Sequence, residues 1–392
     1  MLPVGKSPFD RLAKFWWPML KIPILSAFTF TFLFSFTSFA LVRWLAPDMW
    51  TLEALMATVG GSAGIPGYRV EVSRFILGAA TLQAIVLIAA LGLTSRMQQR
   101  NFQETELVSE GFSRTMNGHP GLLPKIGVFM ATIFALAPLV FMALSSVRIR
   151  NRTTDSYRWS LEAWEYAFQG DLSYVSVPEA LTNSLVYATG CLLISCTLGF
   201  FVAHSIHTLE KQNRKKLAQT IDVLSMLPLA LSGVMVGLGV LLGTLKIWPE
   251  LFNFYGLPIL PHAMLTTPFV IRILLPAMRE IDPDYEAMGM VLGFNAIQRF
   301  FKIKIPLLKP QIVVASALSM AFSLGEFGAS WVLLRSGAWD TLPVLVDQLM
   351  SRPKYFELVT PVAMASATVL MCTTFLVFVI AERVRTHKGG GF

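Results

Sequence analysis

The chain has 392 residues, 54% apolar and only 14% charged, with 32 lysines and arginines against 24 acids for a formal net charge of +8. That is too little polar material to cover a soluble globule of this size, so the composition argues against a soluble protein and for a membrane. Cys191, Cys196 and Cys372 all fall in apolar runs, with no CxxC pair and no histidine cluster nearby. They read as small buried apolar residues, and no metal site is expected.

Runs of the length needed to cross about 30 Å of hydrocarbon as a helix fall, in chain order, at 22–44, 75–95, 124–147, 183–205, 221–245, 257–278, 311–334 and 361–382. With the amino terminus inside, the inner segments carry 19 lysines and arginines against 10 outside. This bias predicts both termini in the cytosol, so the charge orients the chain and implies no nucleic-acid partner. Arg272, near the inner end of its span, is expected to snorkel.

The first polar stretch, GKSPFDRLAKFWWPML, is neither a nucleotide loop nor a signal peptide. Its Gly-Lys-Ser has only four residues before it, and the span that follows is too long and lacks a cleavage site. Shifting the chain by 288 residues instead lays Gly5 on Gly293, Arg11 on Arg299, Lys14 on Lys302 and Pro18 on Pro306. The match runs on into the next span, with FSFTSFA (34–40) over FSLGEFG (322–328). After a two-residue slip Thr51-Leu52 meets Thr341-Leu342. Residues 1–95 therefore read as the last two spans of a first unit, 96–120 as a polar cytosolic linker, and 121–392 as a complete unit of six spans. A duplicated protein of six plus six spans, truncated before its first four, is the expectation. In the outer segment 148–182, SLEAWEYAF predicts a short helix whose Leu161, Trp164, Tyr166 and Phe168 anchor at the interface or dock a partner.

The inner loop DPDYEAMGMVLGFNAIQRFFKIKIPLLKP (282–310) has a definable design. After Gly293, Phe294, Ile297 and Phe301 recur on one helical face, with Gln298, Arg299 and Lys302 elsewhere on the turn. Pro306 and Pro310 are expected to end this helix. Such a ridge could rest on lipid, but the duplicate at Phe9, Leu12 and Trp16 favours a paired docking element.

This loop resembles the EAA motif of permease subunits of binding-protein-dependent ABC importers: E-A-A, three residues, Gly, nine residues, I-x-L-P. The spacing from Gly293 to Ile303, Ile305 and Pro306 matches, with isoleucine for leucine, and Glu286-Ala287-Met288 lies one residue farther out. Gly5 to Pro18 keeps the same spacing, and LTNSLVYATGCLLISCTLGFFVAHSI (181–206) is similar to the opening of these permeases. The resemblance implies an all-α, polytopic MetI-like permease fold of eight transmembrane helices in the bacterial inner membrane. It implies that Glu286, Ala287, Gly293, Phe294, Ile297, Arg299, Phe301, Ile303 and Pro306 form a coupling loop. Gly5, Phe9, Arg11, Leu12, Trp16 and Pro18 would be the remnant of a first one. The partners implied are a dimer of ATP-binding subunits in the cytosol and a periplasmic or extracellular solute-binding protein. ATP is then used by the partner, and the chain itself carries no catalytic residue and binds no cofactor. Double-length permeases for thiamine and ferric iron are the most similar. SLGEFGASWVLL with DTLPVLV places thiamine first, with ferric iron, sulfate, molybdate and polyamine as alternatives.

Two features bear on a pathway. In 221–245, Pro228, Ser232, Gly233, Gly237, Gly239 and Gly243 permit close helix packing or an opened backbone. Glu326 stands in mid-span, where insertion costs roughly 2.5–3.5 kcal/mol. It lines or gates a pathway, or else is an acid bonded to neighbouring backbone. An ion-coupled secondary transporter is the rival reading. No array of nucleophile, base and metal suggests a membrane enzyme.

Overall fold

The computed structural model describes residues 17–46, 49, 51–60, 74–90, 92, 122–151, 154–281, 283–333, 339–353 and 355–386. The first helices are α1 (Trp17–Phe36), α2 (Ala40–Leu45), α3 (Leu52–Gly60), α4 (Arg74–Ala90) and α5 (Leu122–Ser145). A β-hairpin follows, β1 (Arg148–Asn151) with β2 (Ser156–Trp159). Then come α6 (Glu162–Gln169), α7 (Val177–Lys211), α8 (Lys215–Ser225), α9 (Gly233–Ile247), α10 (Ile259–Glu280), α11 (Pro283–Val291) and α12 (Ala296–Arg299). The chain continues in α13 (Ile305–Gly325), α14 (Gly328–Leu333), α15 (Leu342–Met350) and α16 (Val359–Thr386).

Among the described residues five helices are long and apolar enough to cross a membrane: α5, α7, α10, the continuous rod from Ala296 to Gly325, and α16. The pair α8 and α9, bent by 95°, makes a sixth if it is counted as one broken span rather than a re-entrant loop. The eight uninterrupted spans expected from the sequence are corrected in three places. Span 22–44 stops at Phe36 and restarts at Ala40, span 311–334 stops at Gly325 and restarts at Gly328, and span 221–245 turns between Leu229 and Gly233. Hydropathy reports residence in the bilayer, whereas helix continuity depends on whether each freed backbone group finds another partner. Span 75–95 is described as α4, over Arg74–Ala90.

The chain divides into two compact units, Met1–Ala131 with Ala230–Ser232, and Thr132–Leu229 with Gly233–Phe392. In the first, Gln83 of α4 donates to the carboxylate of Glu53 on α3, and both are buried beside Met56, Ala57 and Leu87. In the second, α7, α10 and α13 pack side by side, and α16 lies against α13. Small residues set the approach. A Cβ on Gly199 of α7 would sit 2.6 Å from Val270 of α10, and one on Gly190 would sit 2.6 Å from Ile259. Polar side chains tie the three helices inside: Ser195 donates to Ser319 at 3.2 Å, and the Cys191 sulfur lies 3.2 Å from the Thr266 hydroxyl. At the amino-terminal end of α7, apolar residues of α6, α15 and α16 close over it around Leu342, Leu345, Leu349 and Val362. The hairpin pairs Arg148 with Trp159 and turns at Asp155, φ +47°, where Arg150 bridges to Asp155 at 2.8 Å. Two four-residue strands carry too short an alternation to stand out in a helical sequence.

The helix bounds share the offsets at which the sequence aligns with itself. Shifted by 288, α2 falls on α14 residue for residue, and shifted by 290, α3 falls on α15. The break after α1 is held by Ser38 N–H donating to Ser35 C=O at 3.3 Å, and the break after α13 by Glu326 N–H donating to Ser323 C=O at 3.3 Å. Arg43 N–H to Phe39 C=O and Trp331 N–H to Phe327 C=O correspond in the same way, at 3.0 and 2.7 Å.

A branched side chain at position 199 would be driven into Val270, so Gly199→Val should lower the melting temperature in detergent, an overpacking cost of about 1–3 kcal/mol. Gly239 has no neighbour within 4 Å of a would-be Cβ, so Gly239→Ala should leave the melting temperature unchanged or raise it slightly.

Candidate functional site

The residues expected to form a coupling loop make a tight corner between two helices. After α11 the Gly293 N–H donates to Met290 C=O at 3.0 Å and the Phe294 N–H to Gly289 C=O at 2.9 Å. This closure needs a left-handed residue, and Gly293 supplies it at φ +74°. The next helix starts at once. Asn295 Oδ1 accepts from the Gln298 N–H at 2.8 Å, and Gln298 Oε1 accepts from the Asn295 N–H at 3.0 Å, so both ends of the corner are capped.

Side chains then lock the corner shut. Arg299 Nη1 donates to Phe294 C=O at 2.9 Å, and Lys302 Nζ lies 4.8 Å from the centre of the Phe294 ring. Ile303 and the Arg299 stem rest on Gly289, where a Cβ would sit 2.6 Å from Ile303 Cδ1. Gly289 went unnoticed in the sequence; its signal is a second glycine one turn before Gly293. Ile297 and Phe301 face outward, 69% and 63% exposed, and Met288 and Val291 of α11, with Leu292 just after it, are exposed apolar residues on the other side of the corner. Phe300 turns inward onto Phe200, ring centres 5.3 Å apart. Ala287 is exposed on α11. Glu286 lies on the same helix, its side chain outside the described residues.

Pro306 and Pro310 do not end the helix. Pro306 occupies the first turn of α13 and Pro310 lies inside it, and the preceding turn, Phe300–Lys304, is a π-helix. A wider turn before a proline accommodates its ring and missing N–H without stopping the rod. In the first copy Gly5, Phe9, Arg11, Leu12 and Trp16 lie outside the described residues. Pro18 stands in the first turn of α1.

Farther along α13 the break at Glu326 gathers polar groups. Glu326 Oε1 accepts from the Ala329 N–H at 2.9 Å, and its carboxylate lies against Gly233, where any Cβ would collide with it. Gly237 sits on Ala329, with a would-be Cβ at 2.9 Å from its Cα, so α9 and α14 meet through small residues. Gly233 and Glu326 are thus brought together. Ser232 is buried one residue before α9, and Pro228 is half-buried in the 3-10 turn Leu227–Ala230. Gly239 and Gly243 have open space beside them. His262, fully buried on α10, joins both sides of the same break: Nδ1 lies 2.7 Å from the Ser323 hydroxyl and Nε2 2.9 Å from that of Ser330. One histidine among five gave no spacing signal; its place inside an apolar span was the available cue.

Beyond the break a second polar group surrounds Asp340. Asn183 of α7 donates to Asp340 C=O at 3.1 Å and accepts from the Tyr255 hydroxyl at 2.8 Å, while Ser184 accepts from the Leu342 N–H at 2.9 Å. Gln348 Nε2 donates to Asp340 Oδ2 at 2.6 Å. Burial pushes the Asp340 carboxyl above its usual range, and the Gln348 bond offsets part of that. Arg272 does not simply snorkel: its Nε contacts the Met226 sulfur at 3.1 Å and its Nη1 lies 3.5 Å from Asp222, because α8 supplies a nearby acid. Cys372, expected buried, is exposed on α16. Among the described residues no three His, Cys, Asp or Glu side chains cluster to hold a metal.

Residues 195–386 match the family model described as the binding-protein-dependent transport system inner membrane component. The matched stretch runs from the middle of α7 through the corner to the end of α16. A crystal structure of a bacterial alginate ABC transporter, in complex with an alginate pentasaccharide-bound periplasmic protein, superposes over 75% of this chain and 99% of that chain, with TM-score 0.50 and 15% identity. The fold is that of a MetI-like permease. Among curated relatives, the sulfate transport system permease protein CysT of Salmonella typhimurium is 33% identical over 127 residues, 32% of this chain and 45% of that protein. The chain therefore spans about half the length of that relative. The putative 2-aminoethylphosphonate transport system permease protein PhnV of Salmonella typhi is 25% identical over 257 residues, 66% of this chain and 92% of that protein.

The corner depends on its caps. Removing one by Asn295→Ala should cost about 1 kcal/mol locally, and Gly293→Val more, because of its positive φ. Amide exchange over 288–300 should quicken by about fivefold in the first variant and further in the second, with α7 and α10 unaffected.

Proposed function

We propose that the chain is a membrane permease subunit of an ABC importer, forming part of the solute pathway and coupled to ATP hydrolysis in a separate subunit. The observation that carries the reading is the capped corner at Gly293, whose exposed apolar ridge is rigidly continuous with α13 through the rod from Ala296 to Gly325. A push on Ile297 and Phe301 is delivered along a single helix to the break at Glu326. In this reading Phe294, Arg299, Ile303 and Pro306 hold the ridge, and Glu286 and Ala287 flank it. The docked partner is a cytosolic dimer of ATP-binding subunits, and a solute-binding protein delivers cargo on the other side. The chain contributes no catalytic residue and no cofactor, and both termini face the cytosol of a bacterial inner membrane. The backbone correspondence of α1–α3 with α13–α15 supports a duplicated ancestry, with Gly5 to Pro18 as a second coupling element. Gly233 and Glu326, with Pro228 and Ser232, are the pathway candidates.

The substrate reading is a small solute of the thiamine type, resting on SLGEFGASWVLL and DTLPVLV. Ferric iron is the alternative from the double-length architecture, and the sulfate and aminoethylphosphonate relatives support the oxyanion alternative. Uptake of labelled thiamine against sulfate, with the native binding protein, separates these.

Replacing Ile297 and Phe301 together by Asp should abolish co-purification of the ATP-binding subunit and reduce ATP-driven uptake to background, while the chain still inserts in the membrane. Undiminished co-purification would refute docking at this ridge. Uptake that needs a sodium or proton gradient, and no ATP, would favour the secondary transporter.

A further inference from the structure

The group around Asp340 holds more acceptors than the fold uses. Asp340 is wholly buried, Tyr187 is 1% exposed and Thr341 is 3% exposed. Yet Asp340 Oδ1, the Tyr187 hydroxyl, Thr341 Oγ1 and Gln348 Oε1 have no hydrogen-bond partner among the described residues. These atoms belong to one place. Tyr187 lies one helical turn from Asn183 and Ser184, the side chains that hold Asp340 C=O and Leu342 N–H. Its ring stands 5.3 Å from that of Tyr255, which donates to Asn183, and Asp340 is near enough to act on it electrostatically. Thr341 follows Asp340 in the chain, and Gln348 is bonded to Asp340.

The chemistry of the free atoms is one-sided. The carboxylate and amide oxygens can only accept, and the two hydroxyls can turn to accept as well. None of the four residues carries positive charge, so among the described residues an ionised Asp340 is left with one donor, from Gln348. Burying a carboxylate in that state is costly unless a cation or further donors join it, and without them the acid tends to take up a proton. Gln348 is also the residue of the group that borders open space: it lines a cavity of about 550 Å³, together with Asp347, Arg352, Tyr174 and Phe356.

We propose that Asp340, Tyr187, Thr341 and Gln348 form a binding site for a small monovalent cation, either the protonated amine of a solute or an alkali ion. The site rests on the importer reading only where its guest is called a transported solute. Its test needs no ATP-binding subunit, so the two can fail separately.

The full chain, purified in detergent, is melted in rising concentrations of methylammonium chloride, sodium chloride or tetramethylammonium chloride at constant ionic strength. Tetramethylammonium is too bulky and has no N–H to donate, so it serves as the reference. A saturable rise in melting temperature with methylammonium or sodium, absent with tetramethylammonium, is expected; which of the two acts tells an amine from an alkali ion. Asp340→Asn should abolish the shift. Tyr187→Phe, which removes only the unpartnered hydroxyl, should leave the chain monodisperse and weaken half-saturation by about fivefold. Equal melting in all three salts overturns the site, as does a shift that survives in a folded Asp340→Asn. Should Asp340→Asn fail to fold, an unchanged half-saturation in Tyr187→Phe overturns it equally.

Discussion

A backbone N–H released from a helix inside a bilayer cannot turn to water, and the second unit is arranged around meeting that constraint. At the end of α13 the chain leaves helical geometry for two residues. The Ala329 N–H, which would otherwise face apolar surroundings, is taken by the Glu326 carboxylate. His262 then fixes the two sides of the interruption through Ser323 and Ser330. The packing follows from this joint: α14 is short because it begins anew, Gly233 and Gly237 are small because α9 must lie on it, and α10 is buried because it carries the histidine. A hydrogen-bonded joint of this kind holds two short helices at a defined angle where a simple proline kink would only weaken one.

The corner at Gly293 solves a related problem outside the spans. Two helix ends meet within four residues, and there the first orphan carbonyls and the next orphan N–H groups are met by each other and by Asn295 and Gln298. Because these bonds are local, the corner needs little burial to hold its shape, and its apolar side chains stay on the outside. Phe300 is the exception, anchoring the base of the rod on Phe200. Ridge and rod are thus one rigid body from Ile297 into the core. Under the proposed function this stiffness would let a docked ridge act as a mechanical input, whereas a helix lying loosely on lipid would transmit nothing.

Much of this was legible in the sequence, and the reasons differ by feature. The helical class and the membrane followed from composition because hydropathy integrates over some twenty residues and tolerates local irregularity. The corner was legible because Gly293 and its spacing to Pro306 express a backbone conformation that few residues can take. The same pattern misled at the prolines: a proline stops a helix only when the preceding turn cannot widen, and the π-turn at Phe300–Lys304 is a property of backbone packing with no residue-level mark. The breaks at Phe36 and Gly325 were invisible for the converse reason, since apolar runs continue through them. Asp340, Tyr187 and His262 escaped notice because their meaning lies in contacts between residues more than sixty apart, which no local spacing records.

The shared offset of the two breaks separates what the break requires from what the acid adds. Ser38 stands where Glu326 does, and both breaks are closed by the same backbone bond from that residue to a serine three positions earlier, at 3.3 Å. The interruption is therefore written into the backbone pattern and needs no carboxylate. Its charge must be explained by something the Ser38 position does not share. In the second unit that is α9, whose first residue, Gly233, has no side chain and so lets the carboxylate lie directly against the helix start. An amino-terminal helix end favours negative charge, and the Ala329 N–H belongs to another such end. Glu326 is thus held between the starts of two short helices, and any motion that parts α9 from α14 must first strip this half-buried acid of the partners that hold it.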